Sequence, residues 1–387
     1  MSKKIGEGGF GCVFHPDVSC KGESGKDEKH VSKIQKKGNT SDNELKISER
    51  IRKIKGYDKF FAPIISSCDI GLSRINEGLI SQCEAFESHH IGTDYNIMKM
   101  KFINMTSLSD IIRKGSKEHM FSGFFSSYRY LLTTLKLLQE QELVHFDLKG
   151  DNVIFDKDLG VPIVIDFGLS FHFPKKINKT AMEKLYSNVF YVYAPEYYVW
   201  PIEVHFVNYM IYTLETPTME SILMLCKDYV DNCSPFRIFS AQFKRRYAET
   251  AATFLKQFIN KPREETMEKI INYSNTWDNY AISLMYLRLL QSMYPKGFTK
   301  NNLIIEFSQL LLMNCHPDAT QRFTIQKTKS KFEKLFYNSK NASGLKSMLD
   351  TGGIFSDREE AALAFDEDTR TLNTINNSSK TAQNKKE

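Results

Sequence analysis

The chain of 387 residues lacks the features that several classes of protein require. No window approaches 18 consecutive apolar residues, so no transmembrane helix is expected. The N-terminal stretch MSKKIGEGG contains no apolar run, and we expect no secretory signal peptide. The formal net charge is +6, and Lys and Arg form no dense stripe. A nucleic-acid partner is therefore not expected.

Cysteine is present but lacks the spacing that structural zinc sites and redox motifs require. Seven cysteines are scattered along the chain without a C-x-x-C pair. Because their number is odd, we expect reduced thiols in an intracellular, cytoplasmic protein. The residues concerned are Cys12, Cys20, Cys68, Cys83, Cys226, Cys233 and Cys315.

The pattern of apolar residues changes near residue 103. Before it, short β-forming segments alternate with Gly-, Ser- and Lys-rich turns, apart from one helical segment at 41–54. From 104 onward the helical period dominates, and from about 356 the chain is polar and is expected to be mostly disordered. We predict an α+β fold with a small β-rich domain at 1–103, a larger and mainly helical domain at 104–335, and a C-terminal extension at 336–387.

The stretch IGEGGFGCV, residues 5–13, has glycines at G-x-G-x-x-G spacing. Glycines let a backbone lie close to phosphates and direct its N–H groups at them. A dinucleotide-binding fold requires a helix directly afterwards, but CVFHPDVSCKGE favours a strand–turn–strand. We interpret it as a flap over phosphates, with a plain glycine-rich hairpin turn as the alternative. Its residues are Gly6, Glu7, Gly8, Gly9, Phe10, which would cap the tip, Gly11, and Val13, which would press on an adenine ring.

A lysine and an acidic residue follow the glycine-rich stretch. Lys33 is expected to point inward from a strand and to hold phosphate oxygens, although a solvated side chain is the alternative. In the helix at 41–54, Glu44 shares the apolar face, whereas Glu49 lies on the opposite side. An acid on the apolar face is the better partner for a buried lysine, so we choose Glu44.

The segment VHFDLKGDNVIF, residues 144–155, places charged groups between apolar residues. Asp147 is suited to accept a hydroxyl proton, and Lys149 to neutralise a phosphoryl group in transfer. Asn152 and, in the later IDFG, Asp166 offer oxygen ligands to Mg²⁺. Apolar neighbours would fix these groups, so that positioning and electrostatics carry the catalysis.

These motifs, in this order, resemble those of eukaryotic-type serine/threonine protein kinases. The resemblance covers about residues 5–335 and includes a catalytic loop at 145–152, a DFG motif at 166–168 and an APE motif at 194–196. It implies a bilobal protein-kinase-like fold, ATP and Mg²⁺ as cofactors, and protein substrates. The Lys-, Ile-, Phe- and Asn-rich chain is also similar to kinases of large cytoplasmic DNA viruses, which would place it in the host cytoplasm or the virion.

The resemblance also implies a set of adenine contacts. Met100 would be the gatekeeper residue, followed by a three-residue hinge whose backbone holds the base. The hinge would consist of Lys101, Phe102 and Ile103, and the ring would lie between Val13, Val31 and Ile154.

In the helical domain the resemblance implies two structural roles and shows one large departure. Asp278 would brace the catalytic loop, and Arg322 would pair with Glu196 of the APE motif. The insert at about 197–276 is much longer than in ordinary members of the family. It is either a docking module for a protein partner or additional helical packing.

Single positions depart from the family pattern as well. Phe146 replaces the arginine that docks an activation-loop phosphate, so we expect activity without phosphorylation of Thr180 or Ser187. Val189 occupies the place of a common threonine, which leaves substrate selection open. Ser48 is a poor fit to the apolar stack that this position normally joins.

Three functions are compatible with these motifs. The first is an active serine/threonine protein kinase. The second is a pseudokinase scaffold that binds partners through the insert, which is disfavoured because Lys33, Asp147, Asn152 and Asp166 are all present. The third is a small-molecule kinase, whose families generally lack the DFG, APE and late-arginine motifs.

Overall fold

The structure is a computed structural model of a mixed α+β protein, with a small antiparallel sheet in its N-terminal region and mostly helices in the remainder. This level of the predicted fold is confirmed. The chain forms two compact units: the first comprises Met1–Ser107, Glu140–Asp147 and Asp151–His172, and the second Leu108–Gln139, Leu148–Gly150 and the described residues from Phe173 onward. The residues described are 1–8, 11–86, 93–110, 117–173, 179–190, 194, 196–213, 216–293 and 302–337.

A five-stranded antiparallel sheet forms most of the N-terminal part of the first unit. Its strands follow the spatial order β1-β2-β3-β5-β4. Because side chains alternate along a strand, Phe14 and Ile34 face one side of the sheet and join an apolar cluster, whereas Lys33 faces the other. The strands are β1 (Lys3–Gly8), β2 (Gly11–His15), β3 (His30–Lys36), β4 (Ser66–Gly71) and β5 (Asp94–Lys101).

The apolar face of this sheet is covered by the segment between β4 and β5. This segment contains the short helix α2 (Glu77–Ile80) between two 3₁₀ turns. Leu79 and Phe86 are almost fully buried in the cluster, and the Phe86 ring meets the Tyr95 ring edge-on at 5.1 Å. Removing these side chains from water stabilises the sheet.

Two disulfides cross-link this part of the first unit. Cys12 in β2 is bonded to Cys83, and Cys20 to Cys68 in β4, with Cα separations of 6.0 and 5.9 Å. The prediction of reduced thiols is wrong for these four residues, because the folded chain brings together cysteines that lie 71 and 48 residues apart. Disulfides persist in oxidising compartments, so the cysteines no longer support a cytoplasmic protein. The other three are free and buried.

The helix predicted at 41–54 is α1 (Asn39–Ile51). Glu44, Ile47, Ser48 and Ile51 are buried along one face, as the 3.6-residue period requires. Ser48 fits this face although it is polar, because its hydroxyl oxygen accepts a hydrogen bond of 3.1 Å from the N–H of Ile64.

Later parts of the chain complete the first unit. A three-stranded sheet has the order β6-β8-β9, and β7 pairs with β10. Phe61 forms a bridge to Val164 in β9. The predicted boundary at residue 103 follows chain order, whereas these pairings draw 140–147 and 151–172 into the same unit. The strands are β6 (Met105–Ser107), β7 (Leu143–Val144), β8 (Val153–Asp156), β9 (Val161–Val164) and β10 (Phe171–His172).

The second unit is built mainly from helices. The central helix α9 is buried along most of its length, including Tyr280, Leu284 and Leu287. The predicted insert supplies four of the helices, α5 to α8. Among the described residues, no helix is long and apolar enough to cross a membrane. The helices are α3 (Lys117–Glu140), α4 (Lys179–Asn188), α5 (Ile202–Thr213), α6 (Met219–Asn232), α7 (Ala241–Leu255), α8 (Arg263–Ile271), α9 (Trp277–Met293), α10 (Asn302–Asn314) and α11 (Ile325–Tyr337).

The partner expected for Arg322 was wrong. Its guanidinium forms a two-pronged ion pair with Glu203 at the start of α5, with 2.9 Å between Nη2 and Oε2. The indole N–H of Trp277 donates to the same carboxylate at 3.0 Å. Glu196 is exposed instead. A buried acid within the apolar VWPIEVHFV must find a cation, and that was the signal in the sequence. The disorder expected from about 356 concerns residues outside those described.

Candidate active site

Lys33 joins two acidic side chains in the first unit. Its Nζ lies 2.8 Å from Oε2 of Glu44 on α1 and 3.1 Å from Oδ1 of Asp166. Glu49, the alternative partner, is exposed. The Glu44 side chain is 1% exposed, whereas that of Asp166 is 42% exposed. Lys33 therefore connects the buried carboxylate of Glu44 to the solvent-accessible carboxylate of Asp166.

The ionisation of these three groups is coupled. Burial alone would lower the pKa of Lys33, but the charges of Glu44 and Asp166 outweigh it and raise this pKa above its ordinary value. Burial also opposes ionisation of Asp166, yet the ammonium of Lys33 holds its pKa below the usual range. For Glu44 burial prevails over Lys33 and raises the pKa. The ion pair therefore keeps Lys33 and Asp166 charged.

A second pair, Asp147 and Asn152, lies in the same unit. The amide nitrogen of Asn152 donates to Oδ2 of Asp147 at 2.8 Å and to its backbone oxygen at 2.9 Å. Both residues are nearly buried. Because the amide nitrogen is the donor in both bonds, the amide oxygen of Asn152 is the atom that can accept a metal ion.

His145 and Ile165 connect this pair to the loop that carries Asp166. The Nε2 of His145 lies 3.1 Å from the backbone oxygen of Ile165, and its Nδ1 accepts from the N–H of Asp147 at 3.2 Å. The N–H of Ile165 donates to the backbone oxygen of Asn152 at 3.0 Å. His145 thus orients both Asp147 and the loop, a role that its sequence position did not reveal.

Two residues of this region have a left-handed backbone. The φ angles of Phe146 and Asp166 are 67° and 61°. Such angles are unfavourable for residues with a Cβ, and they persist only where the surroundings enforce them. Phe167, beside Asp166, is almost fully buried against the rings of Phe61 and His145. Packing on this neighbour helps to hold Asp166 in its orientation.

The helix α1 also holds this loop. The backbone N–H of Phe167 favours the ionised form of the Glu44 carboxylate and so opposes the rise of its pKa. Asn43 donates from its amide nitrogen to the backbone oxygens of Gly168 and Ser170, at 3.2 and 2.7 Å. This role of Asn43 was not predicted from the sequence. The only available signal was its position beside Glu44 at the edge of the buried face.

The glycine-rich stretch forms the β1–β2 hairpin, in which Gly6 faces Val13 and Gly8 faces Gly11. A Cβ at Gly11 would lie 2.1 Å from the backbone oxygen of Ile34. Gly11 is therefore required by the approach of β2 to β3, independently of any phosphate.

The remaining predictions for this hairpin have different outcomes. Glu7 pairs with Lys4 and accepts from the N–H of Ala85 at 3.3 Å, so its carboxylate binds the covering segment. Gly9 and Phe10 lie outside the described residues.

The residues expected around adenine lie on neighbouring strands. Val31 is paired with Met100, and Val13 with Lys33. Because residues in register share a face, these four side chains lie on one side of the sheet.

The hinge residues are arranged differently from one another. Lys101 ends β5 and is exposed, while Ile103 packs in an apolar cluster with Ile154. Phe102 stacks on His15 at 3.9 Å, and its N–H donates to the backbone oxygen of Lys29. A base would therefore depend on the backbone of Lys101 and Ile103.

Lys149 belongs to the second unit. Its Nζ lies 3.5 Å from the hydroxyl oxygen of Tyr197 and 5.5 Å from the centre of that ring. Tyr197 follows Glu196, the glutamate of the proposed APE motif. The lysine is thus held by the segment after the motif.

A scan of the chain against protein-family models finds no match, and a search of the curated proteins finds none either. An assignment of function therefore depends on the geometry of these residues.

Proposed function

We propose that this chain is an ATP-dependent serine/threonine protein kinase with a bilobal protein-kinase-like fold. It would transfer the γ-phosphoryl group of ATP to Ser and Thr hydroxyls of protein substrates. The observation that supports this most is the position of Lys33 between Glu44 and Asp166. One ammonium group held by a buried acid, and in contact with an accessible one, suits a site for phosphates and a metal ion.

The donor groups fit Mg²⁺, which prefers a few protein oxygens together with phosphate and water. Asp166 offers an accessible carboxylate, and Asn152 an amide oxygen whose nitrogen is already bonded. When bound, Mg²⁺ would neutralise charge on the phosphates. Lys33 would bind α- and β-phosphate oxygens, with Glu44 holding it in place.

Asp147 would orient the substrate hydroxyl and accept its proton. The bond of 2.8 Å from Asn152 to Oδ2 holds this carboxylate in its orientation. Lys149 would neutralise the phosphoryl group in transfer, and the β1–β2 hairpin would cover the phosphates.

The test is transfer of labelled phosphate from ATP with Mg²⁺ to generic protein substrates. Asp147→Asn and Asp166→Asn should abolish label on Ser and Thr, because each removes one required carboxylate. Asp151→Asn is the matched control, since Asp151 is an exposed carboxylate in the same segment. Transfer that survives either of the first two substitutions would contradict the proposal.

A pseudokinase scaffold is the second candidate, and one surface favours it. On α6, within the insert, Met219, Leu223 and Met224 are 38%, 46% and 57% exposed. Met219 and Leu223 are four residues apart and therefore neighbours on the helix surface, and contiguous exposed apolar surface is a feature of contact sites for protein partners. Nucleotide binding without transfer by the unmodified protein would support this candidate over the kinase.

A further inference from the structure

Asn43 makes a contact that neither the ion pair nor the Asp147–Asn152 pair explains. It precedes Glu44 on α1, and its amide nitrogen donates to two backbone oxygens 125 and 127 positions along the chain. The acceptors belong to Gly168 and Ser170, directly after Asp166. One side chain therefore spans from the helix of Glu44 to the loop of Asp166.

The same loop segment approaches α1 closely at a second point. A Cβ at Gly168 would lie 3.2 Å from Cγ2 of Thr40, in the first turn of α1. This is closer than most Cβ contacts in proteins, so the helix and the loop are already in contact. The two Asn43 bonds hold the backbone of Gly168 and Ser170 in position beside α1.

The other end of the segment is anchored on the strand that leads to Asp147. The hydroxyl of Ser170 donates to the backbone oxygen of His145 at 3.0 Å, and β10 pairs with β7. The ring of Phe171 meets that of Phe146 edge-on at 5.4 Å. Asn43 thus completes a set of contacts that fixes the segment after Asp166 on both sides.

We infer that Asn43 is a positioning residue that holds Asp166 in the orientation needed to bind the metal ion. This inference rests on the proposed kinase function. The left-handed backbone of Asp166 is unfavourable by itself, and the bonds to Gly168 and Ser170 oppose its relaxation. Glu44 fixes Lys33 from the same helical turn, so a shift of α1 would disturb both phosphate and metal ligands.

The bonds between Asn43 and the loop after Asp166 join neutral groups. An amide bonded to two carbonyl oxygens is not weakened by salt as an ion pair is. Phe146 fills with an apolar ring the place where the resembling family has a phosphate-binding arginine. The loop is therefore held by hydrogen bonds and packing, and its position does not require an added phosphate.

The test compares Asn43→Asp and Asn43→Ala with Asn39→Asp, using affinity for ADP with and without Mg²⁺ measured by calorimetry. Asn43→Asp keeps the size of the side chain but loses the donor, whereas Asn43→Ala removes the donor without adding charge. Asn39 is exposed on the same helix, so its substitution controls for a changed charge on α1. We expect both Asn43 variants to lose about tenfold in Mg²⁺-dependent affinity, with affinity for metal-free ADP nearly unchanged.

Two further measurements separate positioning from general damage. Hydrogen exchange should increase in residues 166–172 of the Asn43 variants and stay unchanged in β3 and β5. If the two variants bind Mg²⁺ and ADP like the unmodified protein while that protein transfers phosphate, the inference is wrong and the proposed function stands. If exchange rises equally throughout β3 and β5, Asn43 stabilises the fold and does not position Asp166. If the unmodified protein neither binds nucleotide nor transfers phosphate, the inference falls with the function.

Discussion

Lys33 is the residue on which the candidate site depends, because it is the shared partner of two acids. A carboxylate as buried as Glu44 is unfavourable without a cation and hydrogen bonds. The ammonium of Lys33 provides both a charge and a hydrogen bond of 2.8 Å. The carboxylate of Asp166 is partly exposed, so water can solvate it without help from Lys33. Its bond to Lys33 therefore constrains direction more than it adds stability.

Glu44→Gln should lower phosphate transfer by about one to two orders of magnitude, because small displacements of catalytic groups have effects of this size. Glutamine has the same shape but removes the charge that holds Lys33. Glu49→Gln is the matched control, since Glu49 is exposed on the same helix. Initial rates with purified variants measure the effect. Equal losses in both variants would show that the helix, and not the ion pair, is responsible.

The buried His205, in the second unit, should make the free energy of unfolding depend on pH. It is buried, and burial lowers its pKa to about 4 from an ordinary value of 6.5. The unfolded chain binds the proton more readily, so His205 contributes stability above pH 6.5 that is lost as the pH falls toward 4. The loss should amount to about 3 kcal/mol.

Chemical denaturation between pH 7 and pH 4 measures this contribution. In His205→Gln the dependence on pH should be weaker by that amount, because glutamine does not titrate and can still donate to the backbone oxygen of Tyr197. An unchanged slope in the variant would assign the pH dependence to other groups.

The choice of Glu44 shows what the sequence can reveal about single residues. Helical spacing alone separates Glu44 from Glu49, because only one of them lies on the apolar face. The partner of Arg322 was not accessible in this way. Both Glu196 and Glu203 follow a proline in the same stretch, and only the packing around Trp277 shows which one is buried.

The disulfides show that the packing of helices, strands and loops is also hard to predict from the sequence. Strand-forming segments were visible in the sequence, but the packing of the segment between β4 and β5 on the sheet, which brings Cys83 to Cys12, was not. The connectivity of disulfides depends on how the elements pack, and spacing along the chain does not determine this. Likewise, the helical nature of the insert was predicted, whereas Asn43 could be recognised only once α1 met the loop after Asp166.

The disulfides should stabilise the first unit against unfolding. Each closes a long loop, so loss of one should lower the free energy of unfolding by about 2–4 kcal/mol. Denaturation of the oxidised protein with and without reductant measures the total, and the pairs Cys12→Ser with Cys83→Ser and Cys20→Ser with Cys68→Ser separate the two bridges. Cys226→Ser is the control, since that thiol is free and buried. Seven alkylated thiols in the unfolded protein without reductant would contradict the pairing.

In the β1–β2 hairpin, Gly11 leaves no space for a side chain. Gly11→Ala should destabilise the protein by about 1–3 kcal/mol, because the new Cβ would overlap the backbone oxygen of Ile34. Gly6→Ala is the matched control, since its Cβ would meet Val13 at an ordinary 3.8 Å. Thermal unfolding of the two variants provides the comparison. Similar melting temperatures would mean that β2 and β3 can separate without loss of stability.

At the scale of the whole molecule, the question is whether the protein needs covalent activation. The ion pair of Lys33 with Glu44 and Asp166 is formed in the structure, and so is the Asp147–Asn152 pair. Phe146 is buried and packs on Phe171. An apolar ring offers no charge to an incoming phosphate, so phosphorylation has no partner at this position.

The double variant Thr180→Ala with Ser187→Ala should therefore retain phosphate transfer within about threefold of the unmodified protein, a change below 1 kcal/mol in the activation barrier. Both residues lie on α4, between the candidate metal ligand and the APE-like segment. Asp147→Asn serves as the inactive reference, and mass spectrometry establishes whether either hydroxyl carries phosphate in the active protein. A collapse of activity in the double variant, with unchanged thermal unfolding, would mean that a phosphate on α4 assembles the site, and that the uncharged contacts of Phe146 and Asn43 are insufficient to do so.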